Sequence, residues 1–211
     1  MKSSEGLHFV GLDYVRAIAA FMVVSWHFMH EARGIPVPFE GVPYVPLFSL
    51  FDEGHAGVAL FMVLSGYLFA KLLGERDVMY RPFLVNRFLR LAPLLIFVMI
   101  VVGAKKLLLD EDISEYLVSL LRGFYDMSWP NNAWSVAVEI HFYLLLPFIL
   151  AAEKRWKGFS VLAFAGFFLL RSLILMASGD IYYISYGTIF GRIDQFLMGI
   201  MFWNHRKFLL P

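Results

Sequence analysis

The chain has 211 residues, 60% of them apolar and 22 of them phenylalanine, with a formal net charge of +1 and a mean hydropathy of +0.68. A soluble domain needs a polar exterior, so a surface this apolar points to a lipid bilayer and leaves no length for a large soluble domain beside the hydrophobic segments. The near-zero charge argues against a nucleic-acid partner, and the lack of cysteine excludes disulfides, thiolate metal sites and a cysteine nucleophile.

A spanning helix takes roughly 20 mostly apolar residues. Six segments meet that requirement: about 12–30, 54–73, 89–109, 134–152, 158–177 and 187–204. The expected fold is an all-α, polytopic transmembrane bundle forming a single membrane domain over residues 1–211. No internal repeat, low-complexity tract or long linker divides it. A cleavable signal peptide is not expected, because Asp13 and Arg16 interrupt the first apolar stretch and no small-residue cleavage site follows.

The first span carries Asp13, Arg16 and His27. Arg16 and His27 are eleven residues apart, close to three helical turns, so they project from nearly one face about 16 Å apart along the axis. Asp13, one turn before Arg16, is placed to pair with it. The second span, Gly54 to Ala70, has no Asp, Glu, Lys or Arg, and neither does the core of the third, Leu91 to Ala104. Lys71, Arg76, Arg81, Arg87 and Arg90 cluster between these two spans. The loop after the third span is acidic (Asp110, Glu111, Asp112, Glu115, Asp126), with Ile113, Tyr116, Leu117, Leu120, Leu121 and Phe124 at helical spacing, which predicts a short amphipathic helix on the membrane surface.

The fourth span holds Ser135, Glu139 and Tyr143 at i, i+4 and i+8, on one stripe. The fifth contains Arg171, a snorkelling or paired cation, and the sixth adds Arg192 and Asp194 near its entry. Basic loops (Lys154, Arg155, Lys157; Arg206, Lys207) alternate with acidic ones (Glu31, Glu40, Asp52, Glu53; Asp180). The positive-inside rule then puts the N-terminus and the basic loops in the cytoplasm, with Lys105, Lys106 and Arg122 as exceptions. Trp129, Trp134, Trp156 and Trp203 fall at span ends, where interfacial aromatics are expected.

An ionisable group at bilayer depth costs on the order of 2.5–3.5 kcal/mol, so it usually faces the interior and has a partner or a task. With this topology Glu139 lies at a depth compatible with His27, and a carboxylate beside an imidazole is a general-base arrangement. The bland alternatives are an anchoring Arg16–Asp13 ion pair and an interface histidine at residue 27. A metal site is not expected: His27, His30 and Glu31 lack a third histidine nearby. Ser65 lacks a nucleophile elbow, and Ser65-Gly66 reads as close helix packing.

Several stretches together resemble the acyltransferase-3 family of membrane acyltransferases. Gly11-Leu12-Asp13-Tyr14-Val15-Arg16-Ala17-Ile18-Ala19-Ala20 leading to His27 is similar to that family's first helix, with its Arg-x10-His spacing. Gly57 to Leu68 resembles the second helix, and Arg87-Phe88-Leu89-Arg90 the basic R-x-x-R at the inner mouth. Trp134-Ser135-Val136-Ala137-Val138-Glu139, followed by Phe142-Tyr143-Leu144-Leu145 and Pro147, resembles the Ser-x-x-x-Glu helix, and Arg192 to Gly199 a later motif. Two features depart from the pattern. The family usually has about ten spans, so the chain reads as its N-terminal part, and Ile140-His141 stand where many relatives carry Glu-Gln.

The resemblance implies an O-acyltransferase of the bacterial cytoplasmic membrane. It moves an acyl group from an acyl-coenzyme A co-substrate, most often acetyl-CoA, to a hydroxyl of an exported sugar or glycolipid, with no bound cofactor. Arg16, Arg87 and Arg90 would hold the donor, because guanidinium suits phosphate. His27 would take the acceptor's proton and Glu139 orient it, supported by Asp13, Ser135, Tyr143, Arg192 and Asp194. An acyl-enzyme on His27 or Ser135 is the other route. Two rival readings stand beside this one. One is an inactive fragment or one that needs a partner chain for its remaining helices; the other is a transporter or proton relay, which buried Asp, Arg, His and Glu also suit.

Overall fold

The computed structural model describes residues 10–30, 54, 56–74, 79–129 and 133–209. Among them all regular structure is helical: α1 Val10–His30, α2 Ala56–Leu73, α3 Tyr80–Leu108, α4 Ile113–Arg122, α5 Trp134–Arg155, α6 Phe159–Ser178, α7 Tyr182–Gly187, α8 Ile189–Asn204 and α9 Arg206–Leu209. The chain is an all-α polytopic membrane protein, and α2, α3, α5 and α6 are long and apolar enough to cross a bilayer. The other two expected spans fall on α1, which carries two charges, and on α8, which has 16 residues. Glu31, Glu40, Asp52, Glu53 and Arg76 lie outside the described residues, as does the side chain of His30.

In lipid the hydrophobic effect does not drive helices together, so close packing and polar contacts must. At the centre α2 and α8 run against each other through glycines. A Cβ on Gly66 would collide with the Phe196 carbonyl, and one on Gly199 with that of Val63. This is the close approach that Ser65-Gly66 suggests. The core continues into α5, where Phe142 stacks on Phe196 with ring centroids 3.8 Å apart and planes 16° from parallel. Both rings are fully buried, as are Val138, Leu146, Leu197 and Ile200. Helix α1 packs on α2 through Ala19, Met22 and Trp26, while α6 lies on α8. Much of α6 (Leu162, Phe168, Leu169, Leu173, Met176) is exposed, as a lipid-facing helix requires.

Helix α3 begins at Tyr80, well before the expected start at 89. A hydropathy window stops at Arg81, Arg87 and Arg90, but arginine is a good helix former. Pro82 stands in the first turn, where the missing N–H costs no hydrogen bond. The amphipathic helix expected in the following loop is α4. Asp112 caps it by accepting from the Ser114 and Glu115 amides, and the Tyr116 hydroxyl donates to the Met99 carbonyl at 2.7 Å. Lys106 is one of the cations against the charge alternation. It bonds Glu111 at 2.5 Å and holds that carboxyl below the usual range.

Two of the expected interfacial tryptophans are instead buried. Trp129 donates its indole N–H to the Leu120 carbonyl at 2.7 Å and closes the end of α4. Trp134 packs under Arg192. Trp156 is exposed at the end of α5. Between α5 and α6 the Glu153 carboxylate accepts from the Gly158 and Ser160 amides at 2.9 and 2.7 Å, satisfying donors at the helix start.

Candidate functional site

Helices α2 and α3 converge on the stripe of α5. Glu139 is half-buried there and its Oε1 accepts the hydroxyl proton of Tyr143, one turn on. The Tyr143 ring is buried edge-to-face against Phe69 of α2 at 5.4 Å and Phe83 of α3 at 6.0 Å. Phe69 and Phe83 meet edge-to-face at 5.6 Å. Into this enclosure α3 delivers Arg87, one turn beyond Phe83. Its guanidinium carbon is 4.8 Å from the Phe69 centroid, 5.7 Å from that of Phe83 and 6.0 Å from that of Tyr143.

A cation over an aromatic face gains about 0.5–2 kcal/mol, more when desolvated. Among the described residues no carboxylate pairs with Arg87, and its Nε is buried without a hydrogen-bond partner there. The register of α3 on α5 comes from Tyr80, whose hydroxyl donates to the Leu144 carbonyl at 3.2 Å and whose ring meets Phe148. Arg87 thus enters the bundle about 10 Å along the helix from that anchor. Arg90, nearly one turn further, is exposed. Ser135 is half-buried at the other end of the stripe.

Arg16 and His27 share a face of α1, as their spacing requires, and flank the side that Ala19, Met22 and Trp26 pack on α2. Arg16 pairs with Asp13 at 2.9 Å, with the two side chains 40% and 43% exposed. His27 is exposed, its ring edge-on to Trp26 at 5.0 Å. Among the described residues no hydrogen bond or ion pair joins His27 or Arg16 to Glu139. The structure therefore gathers Glu139, Tyr143 and Arg87 into one assembly and sets the α1 group beside α2.

Arg192 and Asp194 part company. Arg192 donates to the Tyr186 carbonyl at 2.9 Å and lies over the rings of Tyr186 and Trp134. Asp194 takes the α6 cation instead: Arg171 bonds it at 2.5 Å and the Gly191 carbonyl at 2.6 Å. Of the two readings of Arg171, pairing is the one realised. His141 turns to Phe124, ring centroids 4.6 Å apart. The sequence reading missed Phe69 and Phe83. Phe83 precedes Arg87 by four residues, a spacing that stacks ring and cation on one helix face, but nothing local marks Phe69.

The acyltransferase-domain family model matches residues 9–211, nearly the whole chain. The chain belongs to the acyltransferase-3 family. This acyltransferase-3 chain is 26% identical over 228 residues to a provisionally named O-acetyltransferase of Staphylococcus aureus (strain COL), covering 90% of this chain and 34% of that protein. It is 26% identical over 170 residues to the peptidoglycan O-acetyltransferase OatA of Listeria monocytogenes, covering 69% of this chain and 24% of OatA. With a provisionally named peptidoglycan O-acetyltransferase of Bacillus subtilis (strain 168) it shares 27% identity over 223 residues, 89% of this chain and 32% of that protein. The acyltransferase-3 chain thus spans about a third of the length of the first of these relatives. No solved structure matches it significantly.

Proposed function

We propose that the protein is a membrane O-acetyltransferase that takes an acetyl group from acetyl-coenzyme A on the cytoplasmic side and gives it to a hydroxyl of an exported glycan. The observation that carries the reading is the pairing of an enclosed guanidinium with an oriented carboxylate inside the membrane domain: Arg87 beside Tyr143–Glu139. An Arg with its faces covered and no ion pair among the described residues has its N–H edge for an anion such as a donor phosphate. Arg90 extends that cation outward, and Arg16 meets the pantetheine arm. The relatives' names, two of which specify peptidoglycan, support acetyl as the group and a surface glycan as the acceptor.

In the proposed step His27 removes the acceptor hydroxyl proton as its oxygen attacks the thioester carbonyl. A C–O bond forms, the C–S bond breaks, and the imidazolium returns the proton to the leaving thiolate. Glu139, which no hydrogen bond or ion pair joins to His27 among the described residues, has in this proposal only a through-space role, its negative field favouring the imidazolium. A positioned general base contributes about 10²–10⁴-fold, so His27→Ala is expected to lose activity in that range at unchanged protein level. The assay is acetylation of surface glycan in cells that depend on this gene. Full acetylation by both His27→Ala and Arg16→Ala at normal levels would remove the assignment.

A further inference from the structure

Tyr143 has two ends with different neighbours. Its ring completes the enclosure of Arg87 with Phe69 and Phe83, and its hydroxyl donates to Glu139. Cation and carboxylate are therefore close to the same side chain, yet among the described residues no ion pair joins them. A direct Arg87–Glu139 salt bridge would satisfy both charges and leave neither for a substrate. The tyrosine prevents that by occupying both partners at once, with its π-face toward the cation and its O–H toward the carboxylate. The buried Nε of Arg87, without a hydrogen-bond partner, is what this arrangement leaves behind. Phe69 and Phe83 share the first task but not the second.

We propose that Tyr143 is the positioning residue of this site, holding the Arg87 guanidinium open for the anionic group of the acyl donor while fixing the Glu139 carboxylate in its electrostatic role, and that Phe69 positions Arg87 alone. The proposal rests on the donor reading of Arg87 given above. The two functions separate by substitution. Tyr143→Phe keeps the ring and removes only the O–H. Tyr143→Leu removes both, and Phe69→Leu removes one wall of the cation's enclosure without touching Glu139.

The test measures acetyl-CoA Kd and, with a soluble glycan fragment supplied as the acetyl acceptor, the rate of thiol release from acetyl-CoA on the purified full chain, with melting temperature in the same detergent as a folding control. Tyr143→Phe is expected to hold Kd within about twofold and to slow release about tenfold or more, the worth of a hydrogen bond to a charged group. Phe69→Leu is expected to weaken binding about threefold to thirtyfold with the release rate at saturation kept. Tyr143→Leu is expected to show both losses. A merely structural tyrosine would not split binding from rate in this way. If Arg87→Ala weakens acetyl-CoA binding while Phe69→Leu and Tyr143→Leu do not, or if Tyr143→Phe releases thiol at the unsubstituted rate, the positioning role is overturned alone. Unchanged binding in Arg87→Ala would overturn the donor reading and this proposal with it.

Discussion

Charges inside a bilayer persist only where something compensates them, and the half-buried Arg87, Arg171 and Arg192 are compensated differently. Arg87 is enclosed by rings and Arg192 lies over Trp134 and Tyr186, while Arg171 has a carboxylate. The last case is the most exposed to mutation, because each partner leaves an uncompensated charge when the other is removed. The Arg171 and Asp194 side chains are only 18% and 14% exposed. Breaking a buried pair from one side costs about 3–5 kcal/mol, whereas removing both charges is often close to neutral. Arg171→Met and Asp194→Leu are each expected to lower the melting temperature in detergent, and the double variant to recover most of the loss. A double variant as unstable as the sum of the singles would mean that the pair is not the coupling between α6 and α8. The pair also explains what spacing alone leaves open. Arg192 and Asp194 are two residues apart and so point to different neighbours, which a motif read as one block conceals.

At the scale of elements, the contact between α2 and α8 depends on the absence of side chains. Gly66 and Gly199 each face backbone of the other helix, and backbone cannot rotate aside as a side-chain tip can. Gly199→Val is therefore expected to destabilise by at least the ~1–3 kcal/mol of ordinary overpacking. Gly166→Val is the control: a Cβ there, on the lipid-facing α6, meets nothing within 4 Å. Melting curves of both in one detergent would check this, and equal losses would remove the packing argument. Helix α4 depends on charge as well as packing. Hydrogen bonds from Ser114 and the Glu115 amide hold the Asp112 carboxyl below its ordinary value of 3.8. A depressed carboxylate lends its stability above the unfolded value and loses it as pH falls through the folded one. The start of α4 is thus expected to stay ordered from neutrality to about pH 4 and to fray in stronger acid. Amide exchange at Ser114 and Glu115, corrected for intrinsic rates, would report it. Asp112→Asn should keep the cap and abolish the pH dependence, since Asn caps without titrating.

For the molecule as a whole, hydrophobic runs in the sequence place α2, α3, α5 and α6, the helices long and apolar enough to cross a bilayer, because a bilayer demands uninterrupted apolar length. Their partners were legible only where a local pattern encoded them. The Arg16–Asp13 pair follows from a three-residue spacing on one helix, and the packing role of Gly66 from a small-residue pair. The enclosure of Arg87 takes one residue from each of α2, α3 and α5, separated by long stretches of chain, and no period within a helix records such a meeting. Orientation across the membrane is a further whole-molecule property, set by loop charge rather than by packing. The proposed reaction requires Arg87 and Arg90 toward the cytoplasm and the connection after α6 toward the outside. The chain has no native cysteine, so single introduced thiols report sidedness without background. Lys157→Cys, in the connection between α5 and α6, and Asp180→Cys, beyond α6, stand at the two ends of α6 and are both exposed. In intact cells a membrane-impermeant maleimide is expected to label Asp180→Cys and to leave Lys157→Cys unlabelled until the membrane is opened. The reverse pattern would put the cationic mouth outside, where no coenzyme A thioester is supplied, and the direction of acetyl transfer proposed above would fall.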